Sequence, residues 1–209
     1  MFNNNFTTFY KASIISFFAA IFIGGFSFMM GKEHLFFLLN KDLGTVADFI
    51  FNYITYLGDG ISLIPFFILV VINKRKEIFI TISSIIIATI IAQGIKRYVF
   101  PVEPRPTEAI KELLQIHTIP NVLVHTIGSF PSGHTTQIFT MFLLLCIFYN
   151  NGKILWTGFV VALLVAYSRI YQAQHFPIDI AGGIFAALIS VWASVWIGSK
   201  MKKNTSTLV

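Results

Sequence analysis

Two short stretches of this chain hold residues that apolar helices do not need. One is Pro131-Ser132-Gly133-His134; the other runs from Ser168-Arg169 to His175 and Asp179. His175 and Asp179 are four residues apart, which puts them on one face if a helix begins just before His175. A carboxylate bonded to an imidazole fixes its tautomer and steadies positive charge on the ring. That is how a histidine nucleophile is prepared. A second histidine, His134, is suited to protonate a leaving oxygen. Three cations, Lys96, Arg105 and Arg169, add a set that fits an anion, above all phosphate. Ser132 is a good N-cap, and Gly133 behind it removes a side chain where backbone N–H groups would approach that anion.

Each residue also has a plainer use. Ser132 serves as a cap alone, and His134 as an interfacial histidine. Asp179 favours a helix dipole regardless of chemistry. Lys96 and Arg97 suit snorkelling at a helix end, the preferred reading for Arg97. Arg105 suits a solvated loop. Two histidines and an aspartate also suit a metal, but three cations would repel a divalent ion. HxxxD is not a strong zinc pattern either, so the expected metal and cofactor content is none.

What decides between these uses is where the elements put the residues. The chain has 209 residues, 56% hydrophobic and 11% charged, with a mean hydropathy of +0.76. Soluble domains carry about 25% charged residues, so the bilayer is the better solvent. Six apolar segments emerge, at about 12–30, 59–73, 77–96, 133–149, 153–169 and 177–198. A spanning helix needs about 20 residues, fewer if its ends snorkel. The second segment is the shortest; an amphipathic piece at 46–57 extends it and Pro65 is placed to kink it. The first segment reads as a retained anchor. The expected fold is all-α: one domain over 1–209, an integral membrane bundle of six transmembrane helices, with a long outer loop between helices 3 and 4. Within that loop, Thr107–Ile116 has helical periodicity and predicts a short surface helix.

Segments alternate in direction. The end of the third, start of the fourth, end of the fifth and start of the sixth therefore share one membrane face, which gathers Lys96, Ser132, Gly133, His134, Arg169, His175 and Asp179. The clusters Lys74-Arg75-Lys76 and Lys200 to Lys203 lie on the other face with Lys11 and Lys153, eight basic residues against seven on the gathered face, or against four once the site candidates Lys96, Arg105 and Arg169 are set aside. By the positive-inside rule both termini are cytoplasmic and the gathered residues face outward. The net charge of +6 does not form a basic stripe with interleaved aromatics, so no nucleic-acid partner is expected. Cys146 is the only cysteine and reads as an apolar packing residue. His117 and His125 in the loop have no assigned role.

The blocks together resemble the type 2 phosphatidic acid phosphatase (PAP2) superfamily. Its pattern is Lys-x6-Arg-Pro, then Pro-Ser-Gly-His, then Ser-Arg-x5-His-x3-Asp. The second and third blocks match in full. In the first, Arg105-Pro106 fits, but eight residues separate Lys96 from Arg105. The resemblance covers about 96–179 by motif and nearly the whole chain by segment plan. It implies a metal-independent lipid phosphatase of a bacterial inner membrane. His175 would form a phosphohistidine, Asp179 would support it, and His134 would protonate the leaving group. Lys96, Arg105, Ser132, Gly133 and Arg169 would hold the phosphoryl oxygens. The implied substrates are undecaprenyl diphosphate, phosphatidylglycerophosphate or phosphatidic acid. A lipid A phosphatase or phosphotransferase is the alternative within the superfamily, and a transporter or binding protein for anionic lipid is the alternative outside it. The last would need cations but no nucleophile pair. The hydropathy argues against the superfamily's soluble haloperoxidases.

Overall fold

A computed structural model describes residues 6–111 and 116–206. Among these residues the fold is all-helical, with no strand and one isolated bridge between Pro104 and Ile127. The long helices are α1 (Thr7–Met30), α5 (Ile78–Gly94), α8 (Gly152–Tyr171) and α9 (Pro177–Ser206). The shorter ones are α2 (Lys32–Leu39), α3 (Thr45–Ile54), α4 (Leu63–Asn73), α6 (Pro106–Ala109) and α7 (Gly133–Phe148).

Among the described residues, four helical stretches are long and apolar enough to cross a membrane: Thr7–Met30, Arg75–Val99, Gly152–Tyr171 and Pro177–Met201. A fifth arises if Thr45–Gly58 and Gly60–Asn73 count as one span, broken by a 60° bend. The bend lies at Gly58-Asp59-Gly60 and not at Pro65. Two short 3-10 turns, Thr55–Gly58 and Gly60–Ser62, flank Asp59 there. Pro65 falls in the first turn of α4, where its missing N–H has no intrahelical acceptor to lose. Helix α7 has only 16 residues, yet it is the most enclosed. Phe139, Leu143, Leu144 and Cys146 on it are fully buried, and it packs on α5, α8 and α9.

Helix α9 packs along α1, α5 and α7. Small residues on α1 lie inside the bundle, with Ala12, Ser16 and Ala20 fully buried, and a Cβ on Gly24 would sit 3.4 Å from Ala181 Cβ on α9. Small side chains let helices approach closely where lipid offers no hydrophobic contrast. The outside of the bundle is apolar: Phe28 is 90% exposed and Ile72 72% exposed. Apolar surface of that extent suits hydrocarbon and not water.

Between α5 and α7 the chain folds back on itself. Arg105 N donates to Thr126 O at 2.8 Å and Ser129 N to Glu103 O at 3.1 Å. The surface helix expected over Thr107–Ile116 is only one turn, α6. Ile110 leaves helical geometry and is buried in the core, so tertiary packing overrides the local periodicity. Residues 112–115 of that expected helix lie outside the described residues.

Candidate active site

The site is built where the start of α9, the end of α8 and the turn before α7 meet. Helix α9 begins at Pro177, whose fixed φ and missing N–H suit a first helical position. His175 therefore sits just ahead of the helix and not on it, so a shared helix face does not account for its pairing with Asp179. The pairing with Asp179 still forms, because the chain folds over the helix start. Asp179 Oδ2 accepts from Phe176 N at 2.9 Å and from Ser129 Oγ at 2.5 Å. His175 Nδ1 lies 3.3 Å from the same oxygen. His175 N donates to Arg169 O at 3.1 Å, and Ser132 N to Asp179 O at 3.0 Å. His175 and Asp179 are each 2% exposed.

The turn Ser129–Gly133, with a cis Phe130–Pro131 bond, lies against α9. A Cβ on Gly183 would sit 2.8 Å from Ser132 O, so only glycine allows this approach. Ser132 caps α7, its Oγ accepting from Thr135 N at 3.4 Å and from Thr135 Oγ1 at 3.0 Å. A Cβ on Gly133 would meet nothing within 4 Å. The space in front of the capped helix start is open.

Two arginines are held rigidly. Arg105 Nε donates to Ile127 O at 2.9 Å, and its Nη1 to Gln174 O at 3.1 Å and Gln174 Oε1 at 2.7 Å. Arg169 Nη1 donates to Thr55 Oγ1 at 2.7 Å and Gln172 Oε1 at 2.8 Å. Both guanidinium side chains are buried. Lys96 is half-buried, within electrostatic range of Arg105, Arg169 and Asp179, whereas Arg97 is exposed. Lys96 lies on a π turn, Ile95–Val99. Such a turn accommodates an extra residue within a helix.

Buried cations that outnumber the carboxylate beside them are costly unless an anion joins them. They also act on the histidine. Burial, then Arg105, Lys96, Arg169 and His134, hold His175 well below the ordinary imidazole range. These surroundings favour the neutral form of His175. His125 is exposed, and its pKa is lowered by burial and then by Arg105, Arg169 and Lys96; it stands beside the same cations.

The structure thus brings together Lys96, Arg105, Ser132, Arg169, His175 and Asp179, with Gly133 and His134 opening α7 beside them. Sequence reasoning missed Ser129, Thr55, Gln172 and Gln174, which hold the functional groups in place. Ser129, Gln172 and Gln174 lie inside or beside the motif blocks, so proximity was a usable signal. Thr55 carried none. His134 Nε2 also faces Asp59 Oδ2 at 3.6 Å. His117 binds elsewhere, with Nε2 3.0 Å from Asp48 Oδ1 and Nδ1 4.0 Å from Asp42. Among the described residues, Asp42, Asp48 and His117 form the one grouping with metal-compatible spacing. Asp48 is already engaged there by His117 and by Tyr171 OH at 2.6 Å. His134, His175 and Asp179 are not part of it.

A family model described as the PAP2 superfamily matches residues 77–203. The chain belongs to the PAP2 superfamily. It is similar to undecaprenyl-diphosphatase BcrC of Bacillus subtilis, 34% identical over 88 residues, or 42% of this chain and 41% of that one. That match spans about two-fifths of the relative's length. The bacitracin transport permease protein BcrC of Bacillus licheniformis is 25% identical over 186 residues, covering 88% of this chain and 84% of the relative. The crystal structure of Aquifex aeolicus LpxE superposes with a TM-score of 0.68 at 28% identity, covering 77% of this chain and 92% of that one. This PAP2 protein is a multi-pass membrane protein of a lipid phosphatase family.

Proposed function

We propose that this PAP2 protein is a metal-independent lipid phosphatase that works through a phosphohistidine, with undecaprenyl diphosphate as its leading substrate. The observation that carries the reading is the buried His175–Asp179 pair, 3.3 Å apart, beside three cations and a capped, open helix start. One likeness and one observation support the substrate class: the Bacillus subtilis relative is named an undecaprenyl-diphosphatase, and the apolar flank of the bundle gives a lipid tail somewhere to lie.

In the first half-reaction His175 attacks the terminal phosphorus through its Nε2, since Nδ1 faces Asp179. Asp179 holds the tautomer and balances the charge that the ring gains. Lys96, Arg105 and Arg169, with the backbone N–H groups behind Ser132 and Gly133, hold the phosphoryl oxygens. Phosphoryl transfer asks mainly for positioning and charge neutralisation of this kind. His134 protonates the leaving oxygen. Water then displaces His175 from phosphorus, with His134 taking its proton, and inorganic phosphate leaves.

The whole chain follows the six-span plan. The bent α3–α4 pair and the short α7 complete the four long spans, both termini are cytoplasmic, and the site opens to the outer face of a bacterial inner membrane. The intact nucleophile pair argues against a transporter or binding protein that only needs cations.

The test is phosphate release by the purified protein in detergent with EDTA, across undecaprenyl diphosphate, phosphatidylglycerophosphate, phosphatidic acid and lipid A. Undecaprenyl diphosphate should give the highest kcat/KM, and His175→Ala should abolish release. Dependence on added metal, or full activity in His175→Ala, contradicts the reading.

A further inference from the structure

The break between α3 and α4 is fastened to the first turn of α7, the turn that carries His134. A Cβ on Gly58 would lie 2.8 Å from both His134 O and Val165 Cγ1, so the break and α7 touch backbone to backbone. Gln137 on α7 donates through Nε2 to Asp59 O and to Ser62 Oγ, the latter at 3.0 Å. Asp59 is thereby fixed beside the imidazole.

The Asp59 carboxylate is divided between two partners. Its Oδ1 accepts from Ile61 N at 3.2 Å and caps the second 3-10 turn. Its Oδ2 stands 3.6 Å from His134 Nε2. Capping needs only one acceptor oxygen, which an asparagine or serine supplies equally. The second oxygen, and the negative charge, are surplus to the cap. They face a ring that has Arg169, Lys96 and Arg105 within electrostatic range, and His175 as well. Asp59 is the anion set against those cations.

We propose that Asp59 is the positioning residue of the general acid His134: it orients the ring through Nε2 and offsets the cations' repulsion of its second proton. The role rests on the phosphatase reading above. With Nε2–H directed at Asp59, the other nitrogen, Nδ1, carries the proton that is passed on. As the bond from phosphorus to the leaving oxygen breaks, its electron pair stays on that oxygen, which takes the Nδ1 proton. The ring is left neutral. In the second half-reaction the attacking water gives its proton back to Nδ1, so the cycle closes. An apo separation slightly beyond hydrogen-bond range is usual for such pairs, which tighten when substrate binds.

A residue that acts through a general acid matters in proportion to how much its leaving group needs a proton. The test therefore compares Asp59→Asn, which keeps the cap and loses the charge, with the wild type on three substrates. For a dialkylglycerol phosphate, whose alkoxide leaves poorly, kcat should fall about 100-fold. For undecaprenyl diphosphate, whose leaving phosphate is less basic, the loss should be about 10-fold. For 4-nitrophenyl phosphate, whose phenolate leaves unaided, it should be under about 3-fold. The alkaline limb of the lipid-substrate pH profile should move to lower pH in Asp59→Asn, and Asp59→Glu should restore most of kcat. In a His134→Ala background Asp59→Asn should cost nothing further. Equal losses on all three substrates, or additive losses with His134→Ala, would mark a purely structural cap and overturn the proposal. No loss on any substrate would overturn it too. If the wild type releases phosphate from none of the three, the phosphatase reading itself fails and takes this one with it.

Discussion

His134 and His175 are the same side chain in one site, and the proposed function gives them opposite tasks that their different surroundings suit. His175 is 2% exposed, tied through Nδ1 to a buried carboxylate and kept neutral by burial and three cations. His134, at the open start of α7, is 26% exposed and faces a half-exposed carboxylate. In the proposed mechanism the enclosed ring attacks and the ring at the open side of the site donates. The cations sort in the same way. Lys96 is drawn into the charge cluster, while Arg97 turns outward. Lys96→Ala should lower kcat/KM about 100- to 1000-fold, the usual loss when one charge-stabilising donor is removed. Arg97→Ala should stay within about 3-fold of wild type, since a surface charge far from partners contributes little. Steady-state kinetics on one lipid phosphate checks both. The motif residues were legible in the sequence because the chemistry constrains residue type and spacing at once. Asp59 and Thr55 were not. Asp59 reaches His134 across 75 positions, and Thr55 reaches Arg169 across 114; no local pattern encodes a contact made by packing.

At the level of helices, the residues that matter lie where regular structure stops. Helix α5 widens into a π turn at Lys96, α7 starts on the Ser132 cap, and α8 ends three residues past Ser168. Helix α9 starts two residues after His175, and the α3–α4 pair breaks at Asp59. The apolar segments were readable from hydropathy to within a few residues. Their breaks were harder to read, because a bend depends on tertiary contacts. Pro65 looked like the kink, yet the two glycines around Asp59 take that part. Gly183 holds the geometry between α9 and the turn before α7. In Gly183→Val the new side chain would meet Ser132 O and Thr135 Cβ, which already lie at 2.8 and 2.9 Å from a bare Cβ. Overpacking of this kind costs about 1–3 kcal/mol. Thermal unfolding in detergent should shift down by several degrees, roughly as that cost predicts, and activity should fall at a temperature where the variant is still folded.

Across the whole molecule, the candidate site lies at one end of the bundle, and a group of tyrosine and tryptophan rings with Lys200 lies at the other. Phe9 and Tyr10 on α1 contact Trp192 on α9 at ring-centroid distances of 5.0 and 5.7 Å. Trp156 and Trp196 are exposed, and Lys200 lies over Trp196 at 5.2 Å. Amphipathic rings and lysines at one level are what a membrane interface selects. The proposed orientation puts this end in the cytoplasm. Cys146 is buried, so single cysteines can be introduced without a competing thiol. Val102→Cys, in the exposed outer loop, should label with an impermeant maleimide in intact cells. Lys76→Cys should label only after the membrane is opened. The reverse pattern contradicts the orientation.

In the proposed mechanism His175 takes the phosphoryl group itself. The most direct measurement is a rapid acid-free quench of the wild-type protein during turnover of a radiolabelled lipid phosphate, followed by peptide mapping. An acid-labile, base-stable phosphoryl group should form on His175 with EDTA present and be absent from His175→Ala. Turnover without any such group, or a label on another residue, contradicts that mechanism.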